Sequence, residues 1–148
     1  MEKTFTRVRS IKDIVIFSSL AIVGIILTAL PIGDAAHIAG FFIIFAAGIL
    51  AFILKSAYKD VETNAKYCKK ERYFQQVMHA EIFAAIASKP DSVDLSEENK
   101  GNAVKLDIYY SRLTGKAYIQ LFEYVPYTYQ PCSKMYEYEI SKVSKLIK

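Results

Sequence analysis

The sequence predicts an α+β membrane protein: an N-terminal two-helix transmembrane hairpin, a long helix continuing into the cytoplasm, and a small C-terminal domain with a β-hairpin. Three observations carry this. Two apolar runs, Ile14 to Leu30 and Ile38 to Leu54, follow each other near the start of the chain. Between Gly48 and Pro90 there is neither Gly nor Pro, so the second apolar helix has nothing to stop it. From Val104 the apolar period shortens to two, Leu106, Ile108 and Tyr110 alternating with Lys105, Asp107 and Tyr109.

Each apolar run is 17 residues long, and the first has only Ser18, Ser19 and Thr28 as polar members, hydroxyls that can bond back to their own helix. At about 1.5 Å per residue a run covers roughly 26 Å, and flanking turns bring it to the ~30 Å of a bilayer core. The spans are expected at about 13–31 and 37–55. Leu30, Pro31, Ile32 and Gly33 offer no small-x-small signal-peptidase site, and neither run keeps the polar face of a soluble helix. Lys3, Arg7, Arg9 and Lys12 precede the first run, Lys55, Lys59, Lys66, Lys69, Lys70 and Arg72 follow the second, and the connection between them has none. The basic bias places both termini in the cytoplasm of an inner-membrane protein.

Small residues fall in strips, with Ala36, Gly40, Ala47 and Ala51 on the second helix and Ala21, Gly24 and Thr28 on the first. Helices associate in lipid through close backbone approach at such strips. One strip serves the hairpin and the other is expected to serve a neighbouring copy, which predicts a homo-oligomer.

The 148 residues leave room for one small domain beyond the hairpin. The net charge of +4 comes from the membrane flanks: residues 1–72 hold ten Lys and Arg against six Asp and Glu, whereas residues 73–148 hold nine of each. That distribution speaks for topology and anionic headgroups rather than a nucleic-acid surface. Cys68 and Cys132 are expected in the cytoplasm as reduced thiols. Eleven Tyr and no Trp is an unusual balance, and eight of those Tyr lie after residue 108.

Residues 1–12 read as a basic cytoplasmic tail with an interfacial helical turn held by Phe5 and Val8. Residues 56–88 read as a cytoplasmic helix, because Tyr58, Val61, Ala65, Cys68, Arg72, Gln75, His79, Ile82 and Ile86 follow at three- and four-residue steps. Val61, Ala65 and Cys68 on that seam join Gly40, Ala47 and Ala51 as the expected oligomer interface. Residues 89–148 read as the small domain: a loop to Asn102, then strands to Tyr110 and from Ala117 to Val125 about a turn at Leu113 to Lys116. Residues 134–148 fit a helix with Tyr136, Ile140, Val143 and Ile147 on one face. Tyr136, Tyr138 and Ile140 also alternate as a strand would, and the helix is favoured.

On the expected helix, Arg72 and His79 lie seven apart on one face, bringing a guanidinium that can hold phosphate beside an imidazole that can move a proton. The stretch from Arg72 to His79 resembles the Arg-x4–6-His motif of the HEPN (higher eukaryotes and prokaryotes nucleotide-binding) superfamily, whose ribonuclease members join two such motifs across a dimer. With its membrane segment, the chain is also similar to the small accessory transmembrane proteins of type VI-B RNA-targeting CRISPR systems. That resemblance implies an oligomeric membrane pore that strengthens antiviral interference, with RNA, a nucleotide signal or a CRISPR effector protein as partner. Arg72, Gln75 and His79 are then the candidate ligand-binding residues, and Arg72 and His79 the candidate catalytic pair. The competing reading has Arg72 and His79 satisfying Glu71, Glu81 or partner groups within a packed seam.

Two Cys and two His supply no four-ligand metal set, and neither a Gly-rich phosphate loop nor a nucleophile beside a base is present, so no cofactor or metal is expected. Tyr109, Tyr118, Phe122 and Tyr124 would share a face with Lys105, with Arg112 and Lys116 nearby, and could stack bases or a cyclic nucleotide. The leading expectation is an oligomeric inner-membrane effector or pore with a cytoplasmic regulatory domain, accessory to RNA-targeting CRISPR defence. The alternatives are a membrane-anchored adaptor or nucleotide-sensing module and, last, a membrane-tethered HEPN-like ribonuclease.

Overall fold

The computed structural model describes residues 3–148. The chain forms two compact units, a helical one over Arg7–Ala57 and a sheet-bearing one over residues 3–6 and Tyr58–Lys148.

The helical unit is a hairpin of α1 (Ile11–Ala29) and α2 (Asp34–Ile53). Ser10 caps α1: its hydroxyl accepts from the Asp13 amide at 3.1 Å, and the Asp13 carboxylate accepts from the Ser10 amide at 2.8 Å. Asp13 also receives the Ser56 amide and hydroxyl at 2.8 and 2.7 Å, which ties the start of α1 to the chain leaving α2. Both helices are long and apolar enough to cross a membrane, and only 11% of each apolar window is buried. A soluble core helix would have most of that surface covered, and exposure of this kind is compatible with a membrane span.

The two small-residue strips meet each other. A Cβ built on Gly24 would lie 2.8 Å from the Gly40 carbonyl oxygen, and one on Gly40 would lie 2.5 Å from Thr28 Oγ1. Gly40 and Ala47 are buried within the hairpin itself. The expectation that one strip stays free for a neighbouring copy is therefore corrected: an antiparallel pair joined by a short turn has already brought strip against strip.

The sheet contains β1 (Phe5–Val8), β2 (Ala57–Asp60), β3 (Lys66–Phe74), β4 (Val104–Ser111), β5 (Lys116–Val125), β6 (Thr128–Pro131) and β7 (Tyr136–Glu139). The first six lie side by side in chain order, and β7 pairs with the half of β5 that β6 leaves free. The helices α3 (His79–Ser88) and α4 (Ser144–Ile147) complete the unit. Phe74, Leu106, Ile108, Ile119 and Leu121 from one face of the sheet pack with Ile82, Ile86, Val93, Val143 and Leu146 to form the core.

The hairpin of β4 and β5 falls where the alternation from Val104 places it, with Gly115 at φ 68° closing the turn. Three other expectations are corrected. Residues 56–88 are not one helix: the apolar helix stops at Ile53, β2 and β3 follow, and helix resumes only at His79. Absence of Gly and Pro permits a helix without requiring one, and Tyr58, Tyr67, Tyr73 and Phe74 are residues that favour strands. Asp60 starts the intervening turn by accepting from the Glu62 amide and the Thr63 hydroxyl, and Asn64 takes the left-handed conformation at φ 59° that asparagine tolerates. Phe5 and Val8 lie in β1 rather than in a helical turn. Residues 134–148 divide into β7, a 3-10 turn over Ile140–Val143 and α4, so the strand alternation holds through Glu139 and the helical spacing only beyond it.

Candidate functional site

Arg72, Gln75 and His79, the ligand-binding candidates on the expected helix, do not assemble. Arg72 lies on the core face of β3, 4% exposed, where Nε donates to the Leu146 carbonyl at 2.6 Å, Nη2 to the Lys145 carbonyl at 3.4 Å, and Nη1 pairs with Glu98. Gln75 bonds the Lys100 carbonyl at 3.2 Å. His79 opens α3, its Nε2 3.4 Å from Cys132 Sγ and its ring stacked near Phe83. Arg72 and His79 thus have different partners and share no helix face, so the phosphate-and-proton pairing that the HEPN resemblance implies has no geometric counterpart within the chain. Burial raises the Cys132 thiol above its usual value, and Glu123 adds to the effect, so this sulfur is held as a neutral thiol. Val61 lies in the β2–β3 turn, Ala65 at its end and Cys68 on β3, so the seam expected to run through them does not exist as a helix face.

What the sheet does assemble lies on the face opposite the core. Strand alternation turns every second residue to that side, and the registers align them in three rows across β3, β4 and β5: Lys69–Tyr109–Tyr118, Glu71–Asp107–Gln120 and Tyr73–Lys105–Phe122. Tyr124 and Tyr129, paired across β5 and β6, form a further row beside the last one. The middle row is polar and the outer rows each combine a lysine with aromatic rings.

Asp107 stands at the centre, 2% exposed. Lys69 Nζ is 2.8 Å from Oδ2, and Lys105 Nζ is 3.3 Å from either oxygen, yet Oδ1 is buried with no aligned hydrogen-bond donor among the described residues. The Lys105 ammonium thus offsets the charge at Oδ1 without an aligned hydrogen bond, and a donor in line with that oxygen would complete it. Burial pulls the Lys69 ammonium down, but hydrogen bonds to Asp107 and Glu71 outweigh it and hold the pKa above the usual lysine value. Tyr73 is pushed up to about 12 by burial and by its bond to Glu71.

The outer rows are alike in chemistry and differ in cover. Lys69 lies 5.4 Å from the Tyr109 ring and 5.8 Å from that of Tyr58, and Phe5 of β1 is stacked on Tyr109. Lys105 lies 4.6 Å from the Phe122 ring and 5.1 Å from that of Tyr129, with Tyr73 and Tyr124 edge-on to Tyr129. In this second group Tyr124 is 50% exposed.

Tyr109, Tyr118, Phe122, Tyr124 and Lys105 were legible as one face from the strand period. Asp107 was not, because an acidic residue in an alternating strand reads as solvent-facing; the signal was its place between two lysine-bearing positions, visible only once β3 is a strand. Lys116, at the end of β5, is occupied by Glu137 at 2.5 Å. No protein-family model, curated protein or solved structure matches this chain.

Proposed function

We propose that the chain is a two-span inner-membrane protein with both termini in the cytoplasm, whose sheet unit recognises a planar, negatively charged ligand of the nucleotide class and whose hairpin anchors that recognition at the membrane. The observation that carries this is Asp107: a buried carboxylate paired with two lysines, one of its oxygens without an aligned donor among the described residues, and with aromatic rings on each side along the same sheet face. A nucleobase brings a π-face for Phe122, Tyr124 and Tyr129, and N–H donors that suit a carboxylate. A phosphate brings charge for Lys105, which shares the Asp107 carboxylate with Lys69.

The hairpin serves better as anchor than as channel wall. Its small-residue seam is internal, and its apolar runs carry no charge to line an aqueous path. Single-stranded RNA offers the same base and phosphate chemistry as a free nucleotide, so the partner expected from the CRISPR resemblance remains one arm of the test.

Full-length protein in lipid nanodiscs is titrated with adenosine 5′-monophosphate and with a short single-stranded RNA. Saturable binding that weakens at least tenfold in both Lys105→Gln and Tyr129→Ala supports the proposal, and preference between the probes separates nucleotide from RNA. Binding of neither probe, or binding untouched by both substitutions, overturns it. Ligand-dependent leakage from vesicles would make the hairpin a pore and restore the oligomeric effector in place of the anchor.

A further inference from the structure

The aromatic group around Tyr109 has the composition of the open group around Lys105, and one ring of the chain already fills it. Phe5 lies parallel to Tyr109, with centroids 4.2 Å apart and planes 6° from parallel, and meets Tyr67 and Tyr118 at 5.2 and 5.7 Å. Tyr67 and Tyr118 are 4% and 3% exposed under this cover. A face-to-face stack at that spacing is the geometry a nucleobase adopts on a tyrosine, and it is made here by a side chain on a four-residue edge strand.

We infer that this niche is a second binding site for a flat aromatic ring, held closed by Phe5. The inference rests on the ring-binding reading of the same sheet face, and it adds a regulation: a nucleobase that takes the place of Phe5 undocks β1. Besides its ring, β1 is held by its ladder to β2, and the segment from Lys3 to Thr6 makes further bonds. The Val61 amide donates to the Thr4 carbonyl at 3.0 Å, Thr6 Oγ1 to the Lys59 carbonyl at 3.4 Å, and Lys3 pairs with Asp60 and Glu62. Of these fastenings, the stacked ring is the kind that a flat aromatic ligand can compete for.

The consequence follows from connectivity. Two residues separate Val8, the end of β1, from Ile11, the start of α1, and the intervening Ser10 is the N-cap that shares Asp13 with Ser56. Ser56 in turn immediately precedes β2. Freeing β1 therefore loosens the strand that feeds α1 while β2 still holds the chain leaving α2.

The test counts binding equivalents of adenosine 5′-monophosphate on the full chain in nanodiscs. At nucleotide concentrations that fill one site of wild type, before Phe5 is displaced, Phe5→Ala should bind one equivalent more than wild type, and the additional Tyr109→Ala should remove that equivalent. In wild type, saturating nucleotide should speed hydrogen exchange of the amides of residues 4–8 at least tenfold. Phe5→Leu covers the case in which the alanine variant loses the sheet: it keeps an apolar plug without a stackable face, and should still gain the equivalent. A folded variant with the same stoichiometry as wild type, together with unchanged exchange in β1, overturns the inference. If wild type binds nothing and the variant gains one equivalent, the niche stands and the reading of the Lys105 group falls.

Discussion

Gly24 and Gly40 meet where α1 crosses α2, so closely that a Cβ on Gly40 would stand 2.7 Å from the Gly24 carbonyl oxygen. Real Cβ atoms do not approach a backbone oxygen so nearly, and the backbone cannot yield as a flexible side chain can. For a hairpin in a bilayer, where burial of apolar surface drives nothing, such a backbone contact and the dispersion around it would hold the helices together.

Gly40→Leu should consequently open the hairpin and not disperse an assembly. Overpacking costs about 1–3 kcal/mol even where side chains can move aside, and here Thr28 and a carbonyl are in the way. Spin labels on the exposed positions Ile22 and Phe42, with Cys68→Ser and Cys132→Ser as background, report the helix separation by pulsed electron resonance. The distance should lengthen by several ångström while the mass in detergent stays unchanged. A fall in mass at constant label distance would place this seam between copies.

The strips of small residues were legible in the sequence, but their use was not. Ala21, Gly24 and Thr28 specify a close approach without saying whether the partner is the next helix or another chain, and a short connection already favours the former. The apolar runs and the β4–β5 hairpin were legible because each has a strong period. Strand β3 was hidden because neither of its faces is apolar: Cys68, Lys70, Arg72 and Phe74 point to one side, Lys69, Glu71 and Tyr73 to the other. A strand whose alternation is polar on both sides leaves the three- and four-residue spacing of scattered apolar residues to suggest a helix. Once β3 is misread, Arg72 and His79 fall on one imagined face and the rows through Asp107 vanish.

Arg72 should then behave as a structural residue. Its guanidinium, with the side chain 5% exposed, satisfies two carbonyls of the C-terminal segment and pairs with Glu98, which is 21% exposed. Arg72→Leu leaves those groups buried and unpaired, at a cost of about 3–5 kcal/mol. The helical-seam reading expects the opposite, since leucine would extend an apolar stripe. His79→Ala removes the contact with the Cys132 sulfur and the stacking near Phe83 and should cost about 1 kcal/mol, less than Arg72→Leu. Urea unfolding followed by tyrosine circular dichroism checks both values, and an Arg72→Leu protein as stable as wild type would restore the seam. Neither variant is expected to change RNA cleavage, because none is expected of the wild type.

Alkali should unfold the sheet unit before it ionises the tyrosines of the native fold. Burial raises Tyr109, Tyr118 and Tyr138 above their ordinary value, and burial together with the Glu71 bond raises Tyr73 to about 12. An unfolded tyrosine ionises near pH ~10. Between the two values the unfolded chain has released protons that the folded chain retains, so each pH step upward favours unfolding. Lys69 acts in the same direction: its ammonium is held above the unfolded value, so its contribution is complete below about pH 10.4 and declines as pH rises beyond. Stability should therefore be level through neutral pH and fall steeply above about pH 10. The tyrosinate absorbance of the full chain should rise in one cooperative step coincident with loss of the circular dichroism signal, and Tyr73→Phe should make the decline shallower. A gradual titration of all the tyrosines at their ordinary value, with the fold intact, would mean that the rows around Asp107 are open to water and offer no dry platform for a ring.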